Sequence, residues 1–207
     1  MKKVIFFLSF LMVFSCKSQN IKDILPTIDS KFEVFDTILY KKLYNKNPSY
    51  PSETLDNGSY LEMNVANYGK SYSMTLQNSY YTLTKVYFPN GNIKTKGISN
   101  NTESLQIGIW YEFDENGKLI KEIDYDKPYK FTFEDILKFC EKEGIPLTKG
   151  PVLQSTGFHT TITRRIEKEK PIWEIEWKKK FNIVESIILD GTSGKIISRR
   201  ESEFINN

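Results

Sequence analysis

The chain has 207 residues, 39% hydrophobic and 14% aromatic, with 29 basic residues against 26 acidic and a net charge of +3. That apolar share excludes global disorder, and the near balance of charge excludes a nucleic-acid footprint built on a basic patch. One histidine and two cysteines leave few groups for metal or nucleophilic chemistry.

Residues 1–16 read as a leader. Lys2-Lys3 form a positive start, and the apolar run from Val4 to Phe14 is too short to anchor in a bilayer as a spanning helix. Val13-Phe14-Ser15-Cys16 places an aliphatic residue three positions before a cysteine and a small residue directly before it. This stretch resembles the lipobox of bacterial lipoproteins. The resemblance implies cleavage before Cys16, a diacylglyceryl thioether on its sulfur, and a further acyl chain on its amino group. Several buried chains, at about 0.8 kcal/mol per methylene, hold a protein durably on a membrane. The expected location is therefore the cell envelope, on the outer membrane and facing the periplasm. Cleavage leaves 27 basic against 26 acidic residues, a net +1. With Cys16 lipidated, Cys140 is the one free thiol, and no internal disulfide can form.

Lys17–Asp29 is polar and interrupted by Pro26, as a tether would be. Asp29 or Ser30 is placed to cap a helix whose apolar face is Phe32, Phe35, Ile38/Leu39 and Leu43, ending near Tyr44. Phe32, Val34 and Asp36 also alternate, so a strand over Lys31–Asp36 is the rival reading.

Three segments rich in Tyr, Thr, Val, Leu and Met follow, over Ser59–Val65, Ser71–Gln77 and Tyr80–Phe88, with turn residues between them. Next come two copies of one device, 26 positions apart: an aromatic run, an Asn-Gly turn and an alternating strand. The turns are Asn90-Gly91 and Asn116-Gly117, a pair that tolerates positive φ at little steric cost. Short turns cannot make a parallel crossover, so these strands should form an antiparallel meander of six or so strands. With Gly97 and Gly108-Ile109-Trp110-Tyr111-Glu112-Phe113, the region Tyr87–Asp126 resembles the MORN-repeat variant. That resemblance implies a fold element and a likeness to bacterial antitoxin and immunity proteins. Trp110, Tyr111 and Phe113 are expected to pack on the sheet.

A second helix is expected from the Thr132 and Asp135 capping box, with Phe133, Ile136, Leu137 and Cys140 on one face and Gly144 as its stop. Cys140 on that apolar face should be inert. Strands follow over Phe158–Ile166, Pro171–Lys178, Ile183–Leu189 and Lys195–Arg199, with Trp173, Ile175 and Trp177 on one face. A helix, an antiparallel sheet and the closing turn Asp190-Gly191-Thr192-Ser193-Gly194-Lys195 are similar in layout to PepSY domains, which implies binding or inhibition. The expected fold is α+β: a body over 30–127 with an N-terminal helix and a MORN-like meander, then a PepSY-like helix-plus-sheet unit over 128–207.

No Gly-rich phosphate cradle and no metal-ligand spacing occurs, and His159 stands on a predicted strand beside two threonines. The acid pairs Asp114-Glu115 and Asp124/Asp126 fall in or beside turns, where solvation is the default. No catalytic residue, metal or cofactor is therefore assigned. The expected function is that of a membrane-anchored protein-binding module of the immunity or inhibitor kind. A structural or assembly lipoprotein contacting lipid or peptidoglycan is the alternative, with a hydrolase third. Rigid aromatics give large contact area at small entropic cost, so Tyr72, Tyr80, Tyr81, Tyr111 and Tyr125 are the candidate partner-binding residues.

Overall fold

The structure, a computed structural model, describes residues 27–102, 105–152 and 157–203. Cys16, the leader and most of the expected tether lie outside them. Among the described residues, two antiparallel sheets and two helices make an α+β fold. The first sheet is a seven-stranded meander in sequential order: β1 (Ser52–Thr54), β2 (Tyr60–Ala66), β3 (Gly69–Thr75), β4 (Tyr81–Tyr87), β5 (Ile93–Asn100), β6 (Gln106–Phe113) and β7 (Leu119–Asp124). The second is a four-stranded meander of β8 (Thr161–Glu167), β9 (Lys170–Lys180), β10 (Ile183–Asp190) and β11 (Ile196–Glu203).

The first helix begins later than the residue spacing suggests. α1 spans Thr37–Lys46, and its cap is Asp36, whose carboxylate accepts from the amides of Ile38 and Leu39. The chain before Asp36 is extended: the Phe35 amide donates to the Gly91 carbonyl at 2.8 Å, and the Ile93 amide donates to the Glu33 carbonyl at 3.0 Å. Those backbone bonds hold Phe32–Phe35 along the first Asn-Gly turn, as the rival strand reading had it.

The seven-stranded sheet has two unlike faces, because side chains alternate along each strand. One face carries the row Leu61, Met74, Leu83, Ile98 and Ile107 across five strands. Beside it runs the row Met63, Tyr72, Lys85, Lys96 and Tyr111. Phe35 and Leu43 cover one end of this face, packed with Leu61, Met63, Tyr87, Ile93 and Phe113. At the other end Tyr81, Ile98 and Ile107 join the core formed with α2 (Phe133–Glu143) and with Ile162, Trp173, Ile175, Ile187 and Leu189 of the second sheet. α2 is capped as its sequence dictates, with the Thr132/Asp135 box in place and Gly144 left-handed at φ 70°. Phe133, Ile136 and Cys140 are its buried residues, and burial pushes the Cys140 thiol up to about 12.

Lys96 and Arg164 tie distant segments together within this architecture. The Lys96 ammonium, with no exposed side-chain surface, donates to Glu33 at 2.5 Å and to the Lys31 carbonyl at 2.7 Å, and pairs with Asp29 at 3.4 Å. It pins the incoming segment onto the covered face. Burial raises the Glu33 carboxyl, but hydrogen bonds and charge from Lys85 and Lys96 outweigh that and hold it below its ordinary value. Arg164 on β8 bridges the sheets, donating to Asp126 at 2.7 Å and to the Gln106 carbonyl at 2.5 Å, with its guanidinium over Tyr129 and Trp173.

Candidate functional site

The other face of the meander is lined by hydroxyls. Register sets Tyr60, Thr75, Thr82 and Ser99 in one row across β2 to β5. The next row is Glu62, Ser73, Thr84 and Gly97, and Ser71 follows one pleat further on β3. These residues floor a trough of about 640 Å³. Tyr50 stands at its β2 side; Asn101, Thr102, Pro151 and Val152 stand at the far end. The Asn101 amide group ties those two loops together, donating to the Thr148 carbonyl at 2.9 Å and the Gly150 carbonyl at 2.7 Å.

Several hydroxyls are already ordered. Thr75 and Thr82 share a hydrogen bond at 3.1 Å, and Thr84 and Ser99 share one at 2.9 Å. A hydroxyl both donates and accepts, so each pair keeps free capacity for a ligand. The Glu62 carboxylate pushes the Tyr50 phenol above its ordinary value, with burial adding to the effect, which couples the two rim groups. Among the described residues the lining holds that one carboxylate and no Lys, Arg or His. This arrangement can hold and orient a ligand.

The second row ends at Gly97, and the reason is Trp110. A Cβ at position 97 would stand 2.1 Å from Cδ2 of the indole, so only glycine lets the ring lie across β5. The indole N–H donates to the Ile98 carbonyl at 2.9 Å, and Tyr125 packs edge-on against the ring with centroids 6.4 Å apart. The two Asn-Gly turns are built alike. The Gly91 amide donates to the Phe88 carbonyl and the Gly117 amide to the Asp114 carbonyl, each followed by a residue closing the loop. In both, only the glycine is left-handed, at φ 95° and 86°.

Of the five tyrosines expected on a binding surface, Tyr72 is among the residues lining the trough and Tyr81 is buried, while Tyr80, Tyr111 and Tyr125 are half-buried. Tyr72 and Tyr111 pack, partly buried, against the cluster of Phe35, Leu43, Met63 and Phe113, and Tyr81, 2% exposed, belongs to the core with α2, where its hydroxyl donates to Glu134 at 2.8 Å. Each lies an even number of residues from a core position on its strand, so alternation turns it inward. Tyr80 packs against the same core, with the Lys149 ammonium over its ring, and Tyr125 rests on Trp110. His159 precedes β8 rather than lying on it, with Nδ1 3.2 Å from the Thr148 hydroxyl. Among the described residues, no group of three or more His, Cys, Asp or Glu side chains is placed to hold a metal ion.

The trough was readable as Ser71-x-Ser73-x-Thr75 and Thr82-x-Thr84, hydroxyls at every second position. That signal marks a polar sheet face.

No curated protein and no solved structure matches the chain. Residues 106–127, the β6–turn–β7 hairpin that carries Trp110, match the family model described as the MORN repeat variant.

Proposed function

We propose that the protein is a lipid-anchored envelope protein that works as a non-enzymatic binding module, with the hydroxyl-lined trough as its binding face. The trough is the observation that carries this reading: a hollow of about 640 Å³, within the roughly 300–1,000 Å³ typical of ligand sites, floored by side chains whose positions the sheet register fixes. The anchoring half rests on residues 2–16 and on acylation of Cys16. The incoming chain supports the same arrangement. Asp29, Lys31 and Glu33 are held by Lys96 on the covered face, so the described chain from Asp29 to Glu33 runs along the side opposite the trough. The MORN-variant hairpin fits the reading too, since its aromatics build the sheet instead of converging on a reacting centre.

Two measurements test it. Cys16→Ser should abolish lipid attachment and detergent-phase partitioning; an unchanged mass and partition would refute the anchor. The immobilised protein should retain material from native envelopes, and Ser73→Trp, which fills the trough floor, should release it. Equal retention by both proteins would refute the trough as the binding face.

A further inference from the structure

Resting on that binding reading, we infer that the trough takes a neutral, polyhydroxylated ligand: a short saccharide segment laid across β2 to β5. Charge is the first argument. A site for phosphate, nucleic acid or an acidic peptide needs cations, and the described lining offers none. A lone Glu62 beside Tyr50 repels anions at the rim and can accept from paired hydroxyls of a sugar.

The floor gives the second argument. Sugar hydroxyls need partners that donate and accept at once, and the floor presents serine and threonine hydroxyls in register, two residues apart along each strand and one strand apart across the sheet. An apolar ligand would leave the remaining donor and acceptor capacity of these hydroxyls unused, so it fits this floor less well than a ligand that bonds to them. Thr75, Thr82 and Ser99 are already largely buried, so their remaining capacity is preorganised.

The third argument is shape. Tyr50, half exposed, and Tyr60 stand together at one end, where a ring can meet the apolar face of a pyranose while the floor takes its edge. The lining runs across four strands, β2 to β5, a span that suits a chain of rings.

The test uses the folded chain without its leader, titrated with the neutral saccharides chitotriose, maltotriose and cellotriose and followed by calorimetry and amide chemical shifts. At least one should bind, with shifts confined to β2–β5 and the 100–102 and 150–152 loops. Ser73→Trp should weaken that affinity by about tenfold or more, and Glu62→Gln, which keeps the shape, by several-fold. Circular dichroism and melting temperature confirm that both variants fold. No binding by any of the three, or binding untouched by Ser73→Trp, overturns the saccharide inference. The envelope material retained by wild type but not by Ser73→Trp separates this failure from failure of the binding reading. Loss of that material to periodate but not protease supports a glycan. Loss to protease alone keeps the trough as a binding face and assigns it to a protein, overturning the saccharide.

Discussion

Replacing Gly97 with alanine tests the packing that links the MORN-variant hairpin to the rest of the sheet. The new Cβ would sit 2.1–2.4 Å from Cδ2, Cε2 and Cγ of Trp110. Carbon atoms prefer separations of about 3.5–4.0 Å, so the indole must retreat by about 1.5 Å. Such a shift breaks the 2.9 Å bond from Nε1 to the Ile98 carbonyl. The lost bond is worth about 1 kcal/mol and the overpacking about 1–3 kcal/mol, a total of about 2–4 kcal/mol. In a domain of this size that lowers the melting temperature by about 5–15 °C. Gly97 has no left-handed φ, so the whole cost is steric and should vanish when the ring is absent. In a Trp110→Ala background, Gly97→Ala should be neutral or slightly stabilising. Gly108→Ala is the control, since its φ is 65° and no atom lies within 4 Å of the added carbon. Its cost, about 1–2 kcal/mol for a left-handed residue, should be the same in both backgrounds. Melting curves of the single and double variants measure the coupling. An equal cost for Gly97→Ala with and without the indole refutes the reasoning.

Four further outcomes are expected. Lys96→Met leaves Glu33 to Lys85 alone and takes a donor from the Lys31 carbonyl and from Asp29, and chemical denaturation should show a loss of about 1–3 kcal/mol. Because Glu33 titrates below its ordinary 4.5 in the folded state, its contribution is full above that pH and is lost as pH falls; Glu33→Gln should flatten the acid limb of the stability profile. Cys140, buried with its thiol pushed up to about 12, should react with a disulfide reagent only at the rate of unfolding. Gly117→Ala should destabilise more than Gly91→Ala, as thermal melts will show: both are left-handed, but only at 117 would the new carbon strike Phe32, at 2.4 Å.

Wherever a local signal and a packing demand agreed, the sequence was legible. The Thr132/Asp135 box, the left-handed Gly144 and the buried stripe of Phe133, Ile136 and Cys140 all follow from residues within one helix. The first helix was misplaced because Phe32, Phe35 and Leu43 satisfy helical spacing while only the last rides on the helix. What removes Phe32–Phe35 is backbone pairing with Gly91 and Ile93, nearly sixty residues away, which no local pattern reports. The Asn-Gly turns were found but not their type. Both central residues are left-handed instead at Lys168-Glu169, φ 49° and 67°, where the tight pairing of Glu167 with Lys170 imposes the turn on residues that do not favour it.

The placement of the tyrosines and that of the hydroxyls have one cause. A strand's alternation divides its residues into two sets, and sequence alone does not say which set the rest of the chain will cover. Tyr72, Tyr81 and Tyr111 share a face with Met74, Leu83 and Phe113, so covering one covers all. The same register that turns them inward turns Ser71, Ser73, Thr75, Thr82 and Thr84 outward together. A slip of one residue between β3 and β4 would expose the aromatics and bury the hydroxyls, so the core enforces the trough. The covered face fixes where each hydroxyl stands, and a binding site on a stable sheet therefore needs no ordering of its own when a ligand arrives.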